Sequence, residues 1–268
     1  MKKQKINLKS PFGYYGGKQR LAKRIISLIP EHTTYIEPFF GGGAIFFGKE
    51  ASKVEIINDT NHELINFYRV LKQDCIYLMK ELSISLHSRL MHKHAKAIME
   101  NPELFSPIKR AWAVFIRATQ GFSGILNSSW GYDKTTNATT RNVKNKIASL
   151  TEDYAIRLQN TQIECTDAIR IISSRNHDDS FIYCDPPYFN SDCGHYDGYS
   201  KQDFENLLET LASVKGTFLL SSYPSPILKE YSKVNGWYTI EIEMNVSVSK
   251  KGKRKVEVLT SNYPIELE

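Results

Sequence analysis

The sequence lacks any apolar run approaching the roughly 20 residues that a membrane-spanning helix needs. Its first residues, MKKQKINLKS, also lack the apolar segment of a secretory signal peptide. These two features predict a cytoplasmic protein with no membrane partner.

Cysteine is scarce, with four residues in a chain of 268. The four form no CxxC pair and have no companion histidines at zinc-site spacing, so we expect reduced thiols and no metal. The excess of positive charge is small, because 35 basic residues face 29 acidic ones and the net charge is +6. A polyanionic partner is compatible with this balance but is not required by it.

Internal repeats, low-complexity tracts and long linkers are also absent, so domains joined by a linker are not expected. Strand and helix patterns alternate instead, which is typical of a mainly parallel sheet. The first part of the chain predicts strands at 34–40 and 54–57 and helices at 44–49 and 63–82.

The composition changes after these elements, and up to about residue 158 the chain is rich in Lys, Arg, His, Asn, Thr and aromatics, with a helix predicted at 107–119. Strand patterns return at 162–165, 181–184 and 217–221, with a helix at 203–214. Strict alternation over 238–248 and a further strand at 256–262 predict a terminal antiparallel hairpin. We therefore expect an α/β core, residues 1–62 and 161–268, interrupted by a mainly helical inserted domain, residues 63–160, that contains a loop or hairpin.

The segment YIEPFFGGG places three glycines directly after a strand. Glycine allows a sharp turn and the close approach of a nucleotide, although the same turn is often purely structural. Asp59 closes the next strand, where a carboxylate can accept hydrogen bonds from both hydroxyls of a ribose. Its alternative role is to cap the helix that begins near Asn61.

The sequence DPPY, from Asp185 to Tyr188, follows the apolar strand FIYC. Two prolines fix an extended backbone at the carboxyl end of a strand, where open α/β folds bind their ligands. These groups suit methylation of an exocyclic base amine, because Asp185 and the Pro186 carbonyl would each accept one N–H and free the nitrogen lone pair for a sulfonium methyl. Tyr188 would stack on a base flipped out of a duplex. The alternative interpretation is that DPPY only ends the strand and that its tyrosine packs against the core.

With these segments the chain resembles the Dam-type family of DNA adenine methyltransferases, in which a recognition domain is inserted between the cofactor and catalytic motifs. The likeness rests on the segments YYGGKQRL, EPFFGGG, NDTNHELINFY, CDPPY and NVSVSKKGKRKVEVL. It implies a Rossmann-like class I fold that uses S-adenosylmethionine and carries a helical DNA-recognition insert and a terminal hairpin. It implies catalytic roles for Asp185, Pro186, Pro187 and Tyr188. It implies cofactor contacts by Tyr14, Lys18, Glu37, Pro38, Phe39, Gly41, Gly43, Asp59, Asp167 and Asp185.

The insert departs from the family's pattern, since the best-known GATC-methylating members have Asn-Gly-Leu followed by an arginine where this chain reads QGFSGILNSSWGYDK. The target sequence is therefore not predicted. Side chains able to contact bases or phosphates are Arg117, Gln120, Phe122, Asn127, Trp130, Lys134 and Arg141. For each of them, a place in a solvated loop or a small core is an equally good interpretation.

Two further segments are candidates for the active face. The basic run at 250–255 is expected to contact phosphate, with a solvated turn as the alternative, and its candidates are Lys250, Lys251, Lys253 and Arg254. Just beyond DPPY, His195, Tyr196 and Tyr199 form either a mobile cover over the site or an ordinary surface loop.

Several alternatives stay open from the sequence. An RNA adenine methyltransferase would use the same chemistry, whereas Asp185 disfavours a cytosine enzyme, because related cytosine enzymes usually carry serine there. A non-catalytic DNA-binding protein predicts a damaged reaction centre, and the motifs are intact. A nicotinamide dehydrogenase leaves DPPY without a role. We predict a monomeric enzyme that methylates adenine in double-stranded DNA.

Overall fold

The computed structural model describes residues 8–190, 198–245 and 254–266. Its helices are α1 Ala22–Ser27, α2 Ala44–Gly48, α3 His62–Gln73, α4 Cys75–Ser83, α5 Arg89–Glu100, α6 Pro107–Gln120, α7 Ala138–Ser149, α8 Asp153–Leu158, α9 Ala168–Ser174, α10 Lys201–Ala212 and α11 Pro226–Asn235. Its strands are β1 Thr34–Glu37, β2 Val54–Asn58, β3 Thr161–Glu164, β4 Ser180–Cys184, β5 Thr217–Ser222, β6 Tyr238–Asn245 and β7 Arg254–Ser261. The chain divides into a first unit, residues 1–26, 41–51 and 59–165, and a second unit, residues 27–40, 52–58 and 166–268.

The second unit is built on a mixed sheet. Its strands lie in the order β2-β1-β4-β5-β7-β6. The first four run parallel to one another, while β7 is antiparallel to both β5 and β6. The predicted parallel core and terminal antiparallel hairpin are therefore confirmed.

Apolar residues in register hold this sheet together. Ile56, Ile36, Ile182 and Phe218 lie side by side across the four parallel strands, and all of them are buried. Helices α9, α10 and α11 contribute leucine, isoleucine and phenylalanine side chains to the same core. Burial of every residue of β4 explains why FIYC is a continuous apolar run rather than an alternating one.

The first unit is mainly helical and has an aromatic core. The ring of Phe12 packs edge-on against Phe67 at 4.9 Å and Phe115 at 6.1 Å. Helix α6 begins with Ser106, whose hydroxyl accepts from the Lys109 N–H, and with a proline in its first turn. Nine of its 14 residues are buried, so α6 is the central helix of this unit.

One expectation about element bounds needs correction. The predicted helix 63–82 is broken at Asp74 (φ −125°, ψ 31°) into α3 and α4, because the apolar spacing continues across a residue that leaves helical geometry. The two units also divide the chain differently from the predicted domains, since residues 1–26 and 41–51 belong to the helical unit. The proposed functional bounds of the insert, 63–160, stay a prediction.

Candidate active site

The glycine turn of the first unit is held by Asp59. Gly41 (φ 48°) and Gly43 (φ 63°) both adopt the left-handed backbone that favours glycine. The Asp59 carboxylate accepts the Gly41 N–H through Oδ2 and the Asn61 N–H through Oδ1, both at 2.9 Å. Asn61 itself caps α3 by accepting from the next turn's N–H groups. The alternative in which Asp59 caps the helix is therefore wrong, and Asp59 instead ties the glycine turn to the start of α3.

Tyr14 closes the same turn from the other side. A Cβ on Gly41 would lie 3.1 Å from a ring carbon of Tyr14, so a side chain at this position would crowd the Tyr14 ring. Burial and then the nearby Asp59 raise the pKa of Tyr14. Burial also raises the pKa of Asp59, while hydrogen bonds from backbone N–H groups oppose that rise. The structure thus brings together three of the predicted cofactor residues, Tyr14, Gly41 and Asp59.

Lys18 lies on the turn that follows Tyr14. It is buried, and its Nζ donates to the Gly16 carbonyl at 3.0 Å. The turn is closed by a hydrogen bond from the Gly17 N–H to the Tyr14 carbonyl at 2.9 Å. Lys18 is therefore an ordered residue of the first unit rather than a solvated surface lysine, and its contact with a cofactor stays a prediction.

In the second unit, Asn58 organises the strand ends. Its buried side chain donates to the carbonyls of Pro38 at 2.9 Å and Thr166 at 3.0 Å, and its Oδ1 accepts the Thr166 N–H. The EP segment that follows β1 is thereby fixed, and Glu37 is buried with its carboxylate accepting the Tyr35 hydroxyl at 2.7 Å. Asn58 was not predicted as a site residue, although an asparagine that closes an apolar strand was the available signal.

Asp167 and Tyr199 also belong to the second unit. Asp167 is exposed and caps α9 by accepting from the Arg170 N–H at 3.1 Å. The ring of Phe39 lies edge-on to Tyr199 at 6.3 Å. Within the described ranges the buried Tyr199 hydroxyl has no hydrogen-bond partner, and burial raises its pKa. A buried polar group left without a hydrogen-bond partner is unfavourable.

The DPPY segment follows β4 in the second unit. Asp185 is half-buried and Pro186 is buried. Only 5% of Tyr188 is exposed, and its ring lies 4.3 Å from that of Tyr223. An adenine stacked on Tyr188 would have to displace what covers it, so the stacking role is not supported by this structure and stays a prediction.

The hydroxyl of Tyr188 joins two carboxylates. It donates to Oε1 of Glu257 and lies 3.2 Å from Oδ1 of Asp185. Burial, followed by the charges of Asp185 and Glu257, holds the pKa of Tyr188 well above its usual range. Glu257 was not predicted as a site residue, and its signal was a single acid inside the apolar strand sequence VEVL.

Two predicted DNA-contact residues are buried in the first unit. Arg117 is 2% exposed, and its guanidinium donates to the carbonyls of Leu126 at 2.5 Å and Ser128 at 2.8 Å and lies 3.0 Å from the His92 ring nitrogens. Gln120 is fully buried and bonds to the backbone of residues 86 and 88. The prediction that these two side chains contact DNA is corrected, because Arg117 holds the loop that follows α6 and Gln120 holds the segment that precedes α5.

The other predicted contacts of the insert lie nearer the surface. Phe122 is 57% exposed, next to Ser123, which adopts a left-handed backbone (φ 55°). Trp130 is half-buried, stacks on Tyr132 at 5.4 Å and lies under the Arg89 guanidinium at 4.7 Å. The remaining exposed candidates are Asn127, Lys134 and Arg141.

Some candidates lie outside the described residues. These are His195, Tyr196, Lys250, Lys251 and Lys253. Arg254 begins β7, and its side chain is likewise outside the description. Within the described ranges no helix is long and apolar enough to span a bilayer, and no group of three His, Cys, Asp or Glu side chains is arranged to hold a metal.

Comparison with known proteins identifies relatives along nearly the whole chain. A type II methyltransferase of Lactococcus lactis, M1.LlaDCHI, is 27% identical, with 98% of each chain covered. The DNA adenine methylase of Salmonella typhi is 23% identical over 98% of this chain and 96% of its own. The type II methyltransferase M.MjaIII of Methanocaldococcus jannaschii is 30% identical over 71% of this chain and 73% of its own.

The family model of the D12 class N6 adenine-specific DNA methyltransferases matches residues 14–250. The match runs from the Tyr14 turn through the glycine turn and DPPY to residue 250, five residues past the end of β6. Together with the mixed sheet, it establishes a Rossmann-like methyltransferase fold with a terminal hairpin. The chain belongs to the D12 class of N6 adenine-specific DNA methyltransferases.

Proposed function

We propose that this protein transfers the methyl group of S-adenosylmethionine to the exocyclic amine of an adenine that is flipped out of duplex DNA. The observation that carries the proposal is the placement of a half-buried carboxylate, Asp185, and a rigid prolyl segment at the carboxyl end of the central strand β4. Ligands of open α/β sheets bind at this end of the strands.

The residues of the first unit suit the nucleoside part of the cofactor. Gly41 leaves room that a side chain would fill, next to the Tyr14 ring. The Asp59 oxygens accept the backbone N–H groups of Gly41 and Asn61, and a carboxylate has about four acceptor sites in all, which leaves room for a hydrogen bond from a ribose hydroxyl. We therefore assign cofactor contact to Tyr14, Lys18, Gly41 and Asp59. The cofactor, when bound, supplies an electrophilic methyl group on a sulfonium.

In the second unit, Phe39, Asp167 and Tyr199 are candidates for the methionine part of the cofactor. Tyr199 offers a buried hydroxyl without a partner among the described residues, and the exposed carboxylate of Asp167 contributes to the raised pKa of that hydroxyl. A hydrogen bond from Tyr199 to a polar cofactor group would satisfy it.

Asp185 and the Pro186 carbonyl would act on the amine. In the described residues no group donates to the Pro186 carbonyl. Each of the two oxygens would accept one N–H of adenine, which draws the nitrogen toward tetrahedral geometry and makes its lone pair available. The interaction strengthens as positive charge develops on the nitrogen, so it stabilises the transition state more than the ground state.

The insert would hold the DNA. Phe122 is large, apolar and exposed at a loop whose backbone is fixed from behind by Arg117, which suits a side chain that fills the gap left by a flipped base. Asn127, Lys134 and Arg141 are exposed and can contact bases or phosphates, as can the basic run at 250–255.

The test replaces Asp185 by alanine and measures methyl transfer to duplex DNA, single-stranded DNA and RNA. The expected result is transfer to duplex DNA by the unaltered protein and a loss of at least about 100-fold in the variant, with duplex binding retained. The matched control is Asp178→Asn, an exposed carboxylate of the same unit. Transfer at the unaltered rate in Asp185→Ala contradicts the assigned role, and preferential methylation of RNA contradicts the substrate.

A further inference from the structure

Glu257 is a buried carboxylate inside the sheet of the second unit. It lies on β7, the strand between β5 and β6, and is 1% exposed. Burial of an acid is unfavourable unless the acid is hydrogen-bonded, and the Tyr188 hydroxyl supplies such a bond. The fold therefore holds an acid directly behind the DPPY segment.

Tyr188 links this acid to Asp185, since the same hydroxyl lies 3.2 Å from Asp185 Oδ1. A phenol carries one proton and can donate it to only one acceptor at a time. The second carboxylate can then bond to the phenol oxygen only if it carries a proton itself. Two carboxylates that share one hydroxyl can therefore bind one additional proton between them.

Methylation of an amine releases such a proton. We propose that Glu257 receives it from Asp185 by way of the Tyr188 hydroxyl, an inference that rests on the proposed function. The amine nitrogen forms a bond to the methyl carbon while the carbon–sulfur bond breaks and leaves its electron pair on sulfur. The N–H proton passes to Asp185 and the Asp185 proton to the Tyr188 oxygen, while the original Tyr188 proton passes to Glu257.

At the end of this sequence the methylated amine is neutral, Asp185 and Tyr188 have regained their starting states, and Glu257 is protonated. The raised pKa of Tyr188 keeps the phenol protonated between transfers. Tyr183 on β4 also faces Asp185 and Glu257 and has a raised pKa, caused first by burial. Its hydroxyl lies 3.0 Å from Ser221 Oγ. Glu257 thus acts through Tyr188 as a positioning residue and proton acceptor.

The first test is Glu257→Gln, which keeps the size of the side chain and an oxygen that accepts from Tyr188 but cannot take up a proton. Single-turnover methyl transfer to duplex DNA is expected to slow by about 100-fold, with unchanged affinity for DNA and S-adenosylmethionine. Glu241→Gln, the same change at an exposed position of β6, should leave both readouts unaltered.

A second variant, Tyr188→Phe, removes the connecting hydroxyl and should reproduce the slow rate. The double variant should be no slower than either single one, because both changes interrupt one path. A readout independent of activity is the ¹³Cζ resonance of Tyr188 in labelled protein, identified by its loss in Tyr188→Phe. It should shift in Glu257→Gln.

The proposal is overturned if Glu257→Gln transfers methyl at the unaltered rate. If that variant does not fold, Tyr188→Phe decides in the same way. Loss of activity in Asp185→Ala together with full activity in Glu257→Gln would remove the proton path and leave the proposed function standing. Absence of DNA methylation by the unaltered protein would instead remove the proposed function.

Discussion

Replacement of Arg117 by methionine separates a structural role from a DNA-binding role. Methionine fills similar space but has no donors for the Leu126 and Ser128 carbonyls that the guanidinium holds. Each buried acceptor left without a partner costs about 1–3 kcal/mol. Part of the cost for the two carbonyls is offset, because a charged guanidinium no longer has to be removed from water on folding. We expect a net loss of about 3 kcal/mol in the free energy of unfolding.

The assay is thermal and urea unfolding, followed by methylation of a set of DNA sequences. A loss of this size lowers the Tm of a chain of this length by about 6–12 °C. The loop after α6 loses two anchors, so discrimination between target sequences should fall as well. The matched control is Arg141→Met, an exposed arginine of α7, which should lower DNA affinity and leave the Tm within about 2 °C of the original.

The opposite pattern would refute this reasoning. If Arg117→Met unfolds like the unaltered protein and binds DNA weakly, the side chain faces DNA and the buried arrangement around α6 is wrong.

Three further results are expected. Burial, and then Arg117, lower the pKa of His92 from 6.5 to about 4. Between these pH values the unfolded chain binds more protons than the folded protein, so stability should fall as the pH drops from 6.5 towards 4. The variant His92→Gln should abolish that part of the dependence of Tm on pH. Gly41→Ala combines an unfavourable φ of 48° with contact to the Tyr14 ring and should weaken S-adenosylmethionine binding in calorimetry. The control Gly13→Ala has open space around its Cβ and should bind with the original affinity. Equal affinities of the two variants would exclude the glycine turn from the cofactor site. Neutral residues in place of the five cations at 250–255 should weaken DNA binding for all sequences and flatten its salt dependence, and an unchanged slope would exclude this run from the interface.

The parts of the fold that the sequence predicted well are those where local chemistry and tertiary packing agree. The glycine turn needs left-handed backbone, the FIYC strand needs two buried faces, and the terminal hairpin alternates apolar and polar residues, so each pattern has one good structural solution. The prediction of one continuous helix over 63–82 was wrong, because the spacing of apolar residues carries no information on the change of backbone direction at Asp74.

Side-chain roles in the candidate site were harder to predict. Arg117 has the chemistry of a phosphate ligand, and only its place on the buried face of α6 shows that its donors serve the loop. Glu257 and Asn58 act over sequence separations of 69 and 108 residues respectively, and no local pattern reports a contact of that kind. DPPY was informative because its prolines restrict the backbone whatever surrounds them.

The order of the last strands has a consequence for biosynthesis. The ribosome makes β6 before β7, yet β7 is the strand that pairs with β5. A nascent chain that has emerged only as far as β6 therefore exposes the unpaired edge of β5, which is a template for mispairing with other chains. We expect fragments that stop before residue 254 to aggregate, and the complete second unit to form its sheet only after β7 has left the exit tunnel.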